Sequence, residues 1–312
     1  MNDSSSTNET TRMTKEEYRR VDCDEDSSDL GERIVGGRNA RPGEAPFHVS
    51  LPNLSHERRH GFGSGLFCGG SLITADRVLT AAHCFTTPPS NMAVVAGVLN
   101  RYDRSERMQQ QPVFRYLRHP SWNSRTLRAD LGLVALAAPF RFDVPPGAYA
   151  VHAIELANRA PDEGARCTIY GWGQTEAGRK RLQPICLQAA TVSVLDLDRC
   201  NRSLHTVVTV PDGTLCAGSF AGGVDSCQGD SGGALACGGA LYGVVSFGWG
   251  CGSPRFPGIY TDVFAYRAWI VQSLESDPVG WSSACTGLRW SAGALGVIIM
   301  FNTELLLLLL LS

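Results

Sequence analysis

A chain of 312 residues with 43% hydrophobic content is long enough to bury a large core, in one or two domains. Its 28 basic and 30 acidic side chains leave a net charge of -2 with no extended basic run, which argues against nucleic acid as a partner. Eleven cysteines without a paired Cys-x-x-Cys spacing point to disulfides formed in an oxidising compartment rather than to zinc, so no metal and no cofactor is expected.

Residues 1–33 are polar, with Asp22, Asp24, Glu25 and Asp26 crowded around Cys23, a composition that does not fold alone. No apolar stretch follows Met1, so the given chain shows no signal peptide although its cysteines ask for export. The expectation is a true start further upstream; unconventional export and a mistaken disulfide reading are the alternatives. At Arg33-Ile34-Val35-Gly36-Gly37 the tail gives way to apolar sequence. Cleavage after Arg33 would put a new ammonium group on Ile34, beside residues apolar enough to be buried. A buried ammonium needs a counter-charge, for which Asp230 is the candidate.

Short β-branched and apolar runs at 48–51, 70–73, 77–79, 93–98, 113–117 and 131–136 are separated by Gly, Pro and polar clusters, and a second set covers 167–173, 188–194, 214–217, 234–236, 241–247 and 258–262. Strands this short and this closely spaced predict an all-β sandwich or pair of barrels. Val263, Tyr266, Ile270 and Leu274 share one helical face, which predicts a helix over 263–276 capped by Asp262. Beyond Pro278 lies a tail. Residues 291–311 are nearly all apolar and end in seven leucines, but Asn302, Thr303 and Glu304 interrupt them. Small residues at Ser282, Ser283 and Ala284 followed by a spacer and an apolar end match a cleaved lipid-anchor signal; a membrane span and an unstructured tail are the other readings.

Chemistry concentrates in Asp225-Ser226-Cys227-Gln228-Gly229-Asp230-Ser231-Gly232-Gly233. A serine hydroxyl becomes a nucleophile only when a base takes its proton and fixed donors receive the charge that develops on the attacked carbonyl. Gly229 leaves its own amide unobstructed, so the Gly229 and Ser231 N–H groups suit an oxyanion hole. The base is sought in Leu79-Thr80-Ala81-Ala82-His83-Cys84. The acid that orients it is sought in Ala129-Asp130-Leu131-Gly132-Leu133, where Asp130 opens an apolar strand.

Taken together, Ile34-Val35-Gly36-Gly37, Thr80-Ala81-Ala82-His83-Cys84, Asp130-Leu131, Gly171-Trp172-Gly173 and Gly229-Asp230-Ser231-Gly232-Gly233 resemble the chymotrypsin-like (trypsin-like) serine proteases, in the family's order, from Ile34 to about Asp277. The resemblance implies two packed antiparallel six-stranded β-barrels with a C-terminal α-helix. It implies catalysis by His83, Asp130 and Ser231, with roles known from the family's triad. It also implies an activation site at Arg33 and Ile34 with Asp230 as counter-ion, and Ser246 on the strand that pairs with substrate backbone. Asp225 falls where trypsin-like members hold an acid at the base of the specificity pocket, with Gly248 and Gly258 in its walls. The implied partners are protein or peptide substrates with Arg or Lys before the cleaved bond and an activating trypsin-like protease, with a membrane reached through the tail where that tail is an anchor; the implied location is extracellular, secreted or attached to the cell surface. A non-catalytic homologue serving as a membrane-anchored binding module is the alternative.

Phe247, Ala234 and Gly132 stand where the family commonly has Trp, Pro and Ala, and Val98 replaces the first acidic ligand of its calcium loop. The implied disulfides are Cys68 with Cys84, Cys167 with Cys237, Cys200 with Cys216, and Cys227 with Cys251. Cys23, Cys186 and Cys285 are left over: the usual partner of Cys186 would lie near Ala40, and that of Cys23 near Glu155. An odd remainder implies a free thiol or an intermolecular link. Asn53 and Asn201 lie in glycosylation sequons.

Overall fold

The computed structural model describes residues 14–23, 36–142, 149–174 and 183–275, and the backbone of 282–283. Six strands form the first barrel: β1 (His48–Pro52), β2 (Leu66–Thr74), β3 (Arg77–Thr80), β4 (Ala93–Ala96), β5 (Gln109–Arg118) and β6 (Gly132–Leu136). Each pairs antiparallel with its neighbours in the order β1-β2-β3-β6-β5-β4, and β4 returns to β1 through Ser50 and Val95. The second barrel repeats that order with β7 (Arg166–Gly171), β8 (Gln188–Leu195), β9 (Thr214–Gly218), β10 (Ala234–Cys237), β11 (Ala240–Phe247) and β12 (Gly258–Asp262). It runs β7-β8-β9-β12-β11-β10 and closes where Leu235 meets Ile169. Closure removes the exposed edges of both sheets.

The pattern of apolar residues explains which face of each strand goes inside. Val113 and Leu117 of β5 are buried, whereas Phe114 between them is exposed, the two-residue period of a strand with one face in a core. Strands β1 and β6 are buried along their whole length. One cluster joins the barrels, running from Val49, Leu51 and Leu79 through Trp172 to Leu241 and Ile270. Trp172 buries its ring in that seam and donates its Nε1–H to the Leu99 carbonyl at 3.0 Å, so the large apolar surface leaves no orphaned donor.

Among the described residues four helices decorate the barrels: α1 (Lys15–Arg20), α2 (Leu54–His60), α3 (Leu197–Leu204) and α4 (Arg267–Glu275). The last starts later than the 263–276 read from periodicity. Asp262 Oδ1 accepts the Phe264 and Ala265 amides, at 2.8 and 3.2 Å, and this closes a tight turn before regular helix begins. His119, after β5, meets the Tyr266 and Trp269 rings at 4.8 Å, so α4 packs back against the first barrel.

The N-terminal segment, whose composition does not fold alone, is ordered in part by packing on the barrels. Residues 14–23 pack on the body, and α1 carries a capping box between Thr14 and Glu17. Tyr18 stacks on Tyr102 with ring centres 5.0 Å apart, and Asn100 Nδ2 donates to the Tyr18 and Val21 carbonyls at 2.8 and 3.0 Å. This docking corrects the cysteine reading. Cys23 and Cys186 are neither free nor intermolecular but bonded to each other. Asn100 makes the difference: it bridges to Cys186 in β fashion while its side chain holds Val21, which delivers Cys23 to the sulfur that Ala40 cannot reach. Cys68–Cys84, Cys167–Cys237, Cys200–Cys216 and Cys227–Cys251 are bonded as well. Cys285, Arg33, Ile34 and the apolar tail lie outside the described residues. Among the described residues no helix is long and apolar enough to cross a membrane.

Candidate active site

His83 sits in a single 3-10 turn, Ala82–Cys84, directly after β3. Two constraints fix that turn. Cys84 is tied to Cys68 on β2, and the His83 backbone N–H donates to Asp130 Oδ1 at 2.9 Å. The ring closes the same grip from the side, its Nδ1 lying 2.7 Å from Asp130 Oδ2. An ionised carboxylate only accepts, so Nδ1 carries the proton and Nε2 is left as the basic nitrogen.

Asp130 is wholly buried. It follows Ala129, a non-glycine residue at φ 51°, so the chain turns through a sparsely populated conformation to aim the carboxylate inward just before β6. Its remaining lone pairs are used. Ser246 Oγ donates to Oδ2 at 2.6 Å, and Thr261 Oγ1 donates to the Asp130 main-chain carbonyl at 2.8 Å. Ser246 thus holds the Asp130 carboxylate, a contact that sequence reasoning missed. A hydroxyl within the apolar run Val244-Val245-Ser246-Phe247 has to find an acceptor once buried, and that requirement was the available signal.

Ser231 stands at the opposite wall, in a turn tightened by Asp230 N–H to the Cys227 carbonyl and Gly233 N–H to the Asp230 carbonyl, both 2.9 Å. The first barrel reaches across to it: Gly69 N–H donates to the Ser231 carbonyl at 2.8 Å, and Cys84 Sγ lies 3.7 Å from the same oxygen. The residue next to His83 therefore touches Ser231. Gly232, at φ 80°, is obligatory here, because a Cβ would collide with Thr80 Oγ1 and the Gly69 carbonyl. Gly229 takes φ 105°. Among the described residues no protein acceptor takes the Gly229 or Ser231 N–H, which leaves both donors for an incoming oxygen.

Behind Ser231 lie two buried carboxylates. Asp230 accepts from the Gly173 and Cys227 amides at 2.7 and 2.8 Å, and any side chain on Gly171 or Gly173 would overrun it. Burial pushes its pKa up to about 7 against those two bonds, and no cation meets it among the described residues. Asp225 accepts from Ser226 N–H at 2.8 Å and Gly252 N–H at 3.1 Å, and burial raises it to about 7 as well. A Cβ on Gly258 would come 2.8 Å from Asp225 Oδ1, and one on Gly248 would come 3.9 Å from the Gly258 Cα. Asp225, Gly258 and Gly248 thus lie side by side, Gly258 against the carboxylate and Gly248 against Gly258. Ser246 falls at the irregularity where β11 skips a residue against β12, between Val245 and Phe247. Cys68, His83 and Cys84 also converge, but with the two sulfurs joined they offer a metal nothing beyond the imidazole.

The departures noted in the sequence fit these surroundings. The Phe85 ring occupies the place that a Cβ on Gly132 would take, and Val98 is buried in the core.

The family model described as Trypsin matches residues 34–270. The chain is 37% identical over 265 residues to Serine protease 56 of Homo sapiens, covering 83% of this chain but 41% of that protein, so it spans about two fifths of that relative's length. It is 35% identical over 249 residues to Trypsin-3 of Salmo salar, covering 80% of this chain and 96% of that protein. Among solved structures it resembles neuropsin, a serine protease expressed in the limbic system of mouse brain. That similarity has a TM-score of 0.67 at 33% identity and covers 77% of this chain and all of the other. With two closed barrels and a serine, a histidine and a buried aspartate held between them, the chain belongs to the trypsin family of chymotrypsin-like serine proteases.

Proposed function

We propose that this protein is an endopeptidase that cuts after Arg or Lys and is made as a zymogen, activated by cleavage after Arg33. The observation that supports this specificity is Asp225, 2% exposed, with Gly258 against its carboxylate and Gly248 beside Gly258. A desolvated carboxylate without a cation strongly favours a guanidinium or ammonium that enters end-on.

In the reaction, His83 Nε2 takes the Ser231 proton as Oγ attacks the scissile carbonyl carbon. The Gly229 and Ser231 amides hold the resulting oxyanion. His83 then returns the proton to the leaving nitrogen as the C–N bond breaks, and water repeats the sequence to release the acid. Asp130, fixed by Ser246, keeps the imidazole in the tautomer this needs. Activation follows from Asp230: the Ile34 ammonium freed by cleavage supplies the cation its buried carboxylate lacks, and the turn carrying Gly229 and Ser231 is locked through that residue. Disulfides point to an extracellular protein, secreted or held at the cell surface through the apolar tail.

Residues 34–277, produced with a free amino terminus at Ile34, should turn over Arg and Lys reporter peptides. The Ser231→Ala variant should lose at least about a thousandfold. The Asp225→Ser variant should lose most cleavage after Arg while retaining the triad. Equal rates on Phe and Arg peptides in the unsubstituted protein would remove the pocket assignment.

A further inference from the structure

Helix α2 lies in the connection between β1 and β2 and carries four exposed nitrogenous side chains, His56, Arg58, Arg59 and His60. The acid among them turns inward, Glu57 Oε1 accepting the Gly63 N–H at 2.8 Å. Among the described residues no carboxylate pairs with Arg58 or Arg59, whose hydrogen bonds go to Ser55 and Asn91. Lys15 of α1 adds a further cation, its Nζ lying 2.9 Å from where a Cβ on Gly61 would sit. On α1 the nearby acids are already engaged, Glu16 with Arg19 and Arg20, and Glu17 with the Thr14 amide. The two helices enclose a groove of about 630 Å3, with Lys15, His56, Arg59 and His60 around it and the stacked Tyr18 and Tyr102 in its lining. The His56 pKa is lowered by partial burial and then by His60 and Arg59, as expected where positive groups crowd.

The groove has a defined relation to the cleft. Ser231 is held from the second barrel through Gly232 and Val245, and from the first through Gly69 of β2. If the acyl half of a substrate lies along Ser246 to Gly248, the leaving half runs toward the first barrel and the start of β2. From Gly69 back to His60 is nine residues, at most about 30 Å of extended chain. A substrate rising about 3.3 Å per residue therefore reaches α2 within roughly nine residues of the scissile bond. We propose that α1 and α2 form an exosite for an acidic stretch of protein substrate on the carboxyl side of the cleaved bond. The proposal rests on the protease reading above. It also assigns a lasting role to the N-terminal segment: the Cys23–Cys186 bond spans the Arg33 cleavage point, so Lys15 and Tyr18 remain on the enzyme after activation.

The test uses the full chain cleaved after Arg33 and three substrates: a short Arg reporter with no residues beyond the leaving group, and two longer peptides with either Glu/Asp or Gln/Asn at positions five to eight past the bond. The acidic peptide should show about tenfold higher kcat/KM than the neutral one at low salt, with the advantage shrinking as salt rises. Arg58→Glu with Arg59→Glu should abolish the advantage, and Lys15→Glu should reduce it, while the short reporter is unaffected by any of these. Equal cleavage of the two peptides, or an advantage that survives Arg58→Glu with Arg59→Glu, would overturn the exosite. Loss of short-reporter turnover with retained binding of a fluorescent acidic peptide to the same groove would instead sink the protease reading alone. Binding of a sulfated glycan without any acidic-peptide preference would overturn the proposal in favour of a polyanion site.

Discussion

In the proposed reading Asp225 couples the binding of Arg or Lys to pH. Burial raises its pKa to about 7, the Gly252 and Ser226 amides oppose the rise, and Asp230 adds to it. A cation in the slot binds the ionised form, so binding and deprotonation are linked. Above about pH 7 the affinity of cleaved Ser231→Ala protein for p-aminobenzamidine should be level. Below it the affinity should fall about tenfold per pH unit, and Asp225→Asn should bind weakly and without that slope. Fluorescence titration from pH 5 to 8 measures this, and a flat profile in the unsubstituted pocket would refute the linkage. The proposed role of this acid was read from its spacing to Ser231. Its desolvation was not, because that depends on Tyr260 and Gly258, which come from a strand more than thirty residues away.

Elements were legible to different degrees for reasons of length. Barrel strands carry their signal in a few alternating residues and were found, mostly short by one to several residues at their ends. Helices α1, α2 and α3 were missed: at six to eight residues they are too short to show a helical period, and their caps do the work. Asn53 illustrates this. Read as a glycosylation sequon, it also caps α2, its Oδ1 accepting from His56 N–H at 2.9 Å and Asn91 Nδ2 at 3.1 Å. At β6 the strand start is shaped by Phe85, which stacks on Tyr116 at 4.1 Å and fills the space over Gly132. Gly132→Ala should therefore cost about 1–3 kcal/mol by overpacking, despite alanine being the usual residue there. A urea midpoint unchanged from the parent would show that the ring simply moves aside.

For the whole molecule the telling group is Asp230. Its folded pKa is raised to about 7 from an ordinary 3.8, so the folded chain binds the extra proton between those values. The stability it contributes is fully present below about pH 3.8 and is lost as pH rises through about 7, with a slope of up to roughly 1.4 kcal/mol per unit. In the uncleaved chain, Asp230→Asn should remove that slope, so the stability difference between variant and parent widens from pH 4 to 7. After cleavage at Arg33 the Ile34 ammonium should abolish the parent's penalty near pH 7 and leave the variant without the pair. Denaturant titrations of both forms at four pH values check this; parallel curves for cleaved and uncleaved protein would remove Asp230 as the activation counter-ion.

The sequence by itself determined the strand pattern, the glycine-rich turn at Ser231 and the residues from which the proposed triad is built, because strand periodicity, turn chemistry and motif spacing are properties of short stretches. Tertiary structure alone decided that Ser246 serves Asp130, that Phe85 takes the space over Gly132, and that α1 docks so that Cys23 meets Cys186. Each joins residues far apart in the chain, and which distant groups share a buried space follows only from how the two barrels close and pack.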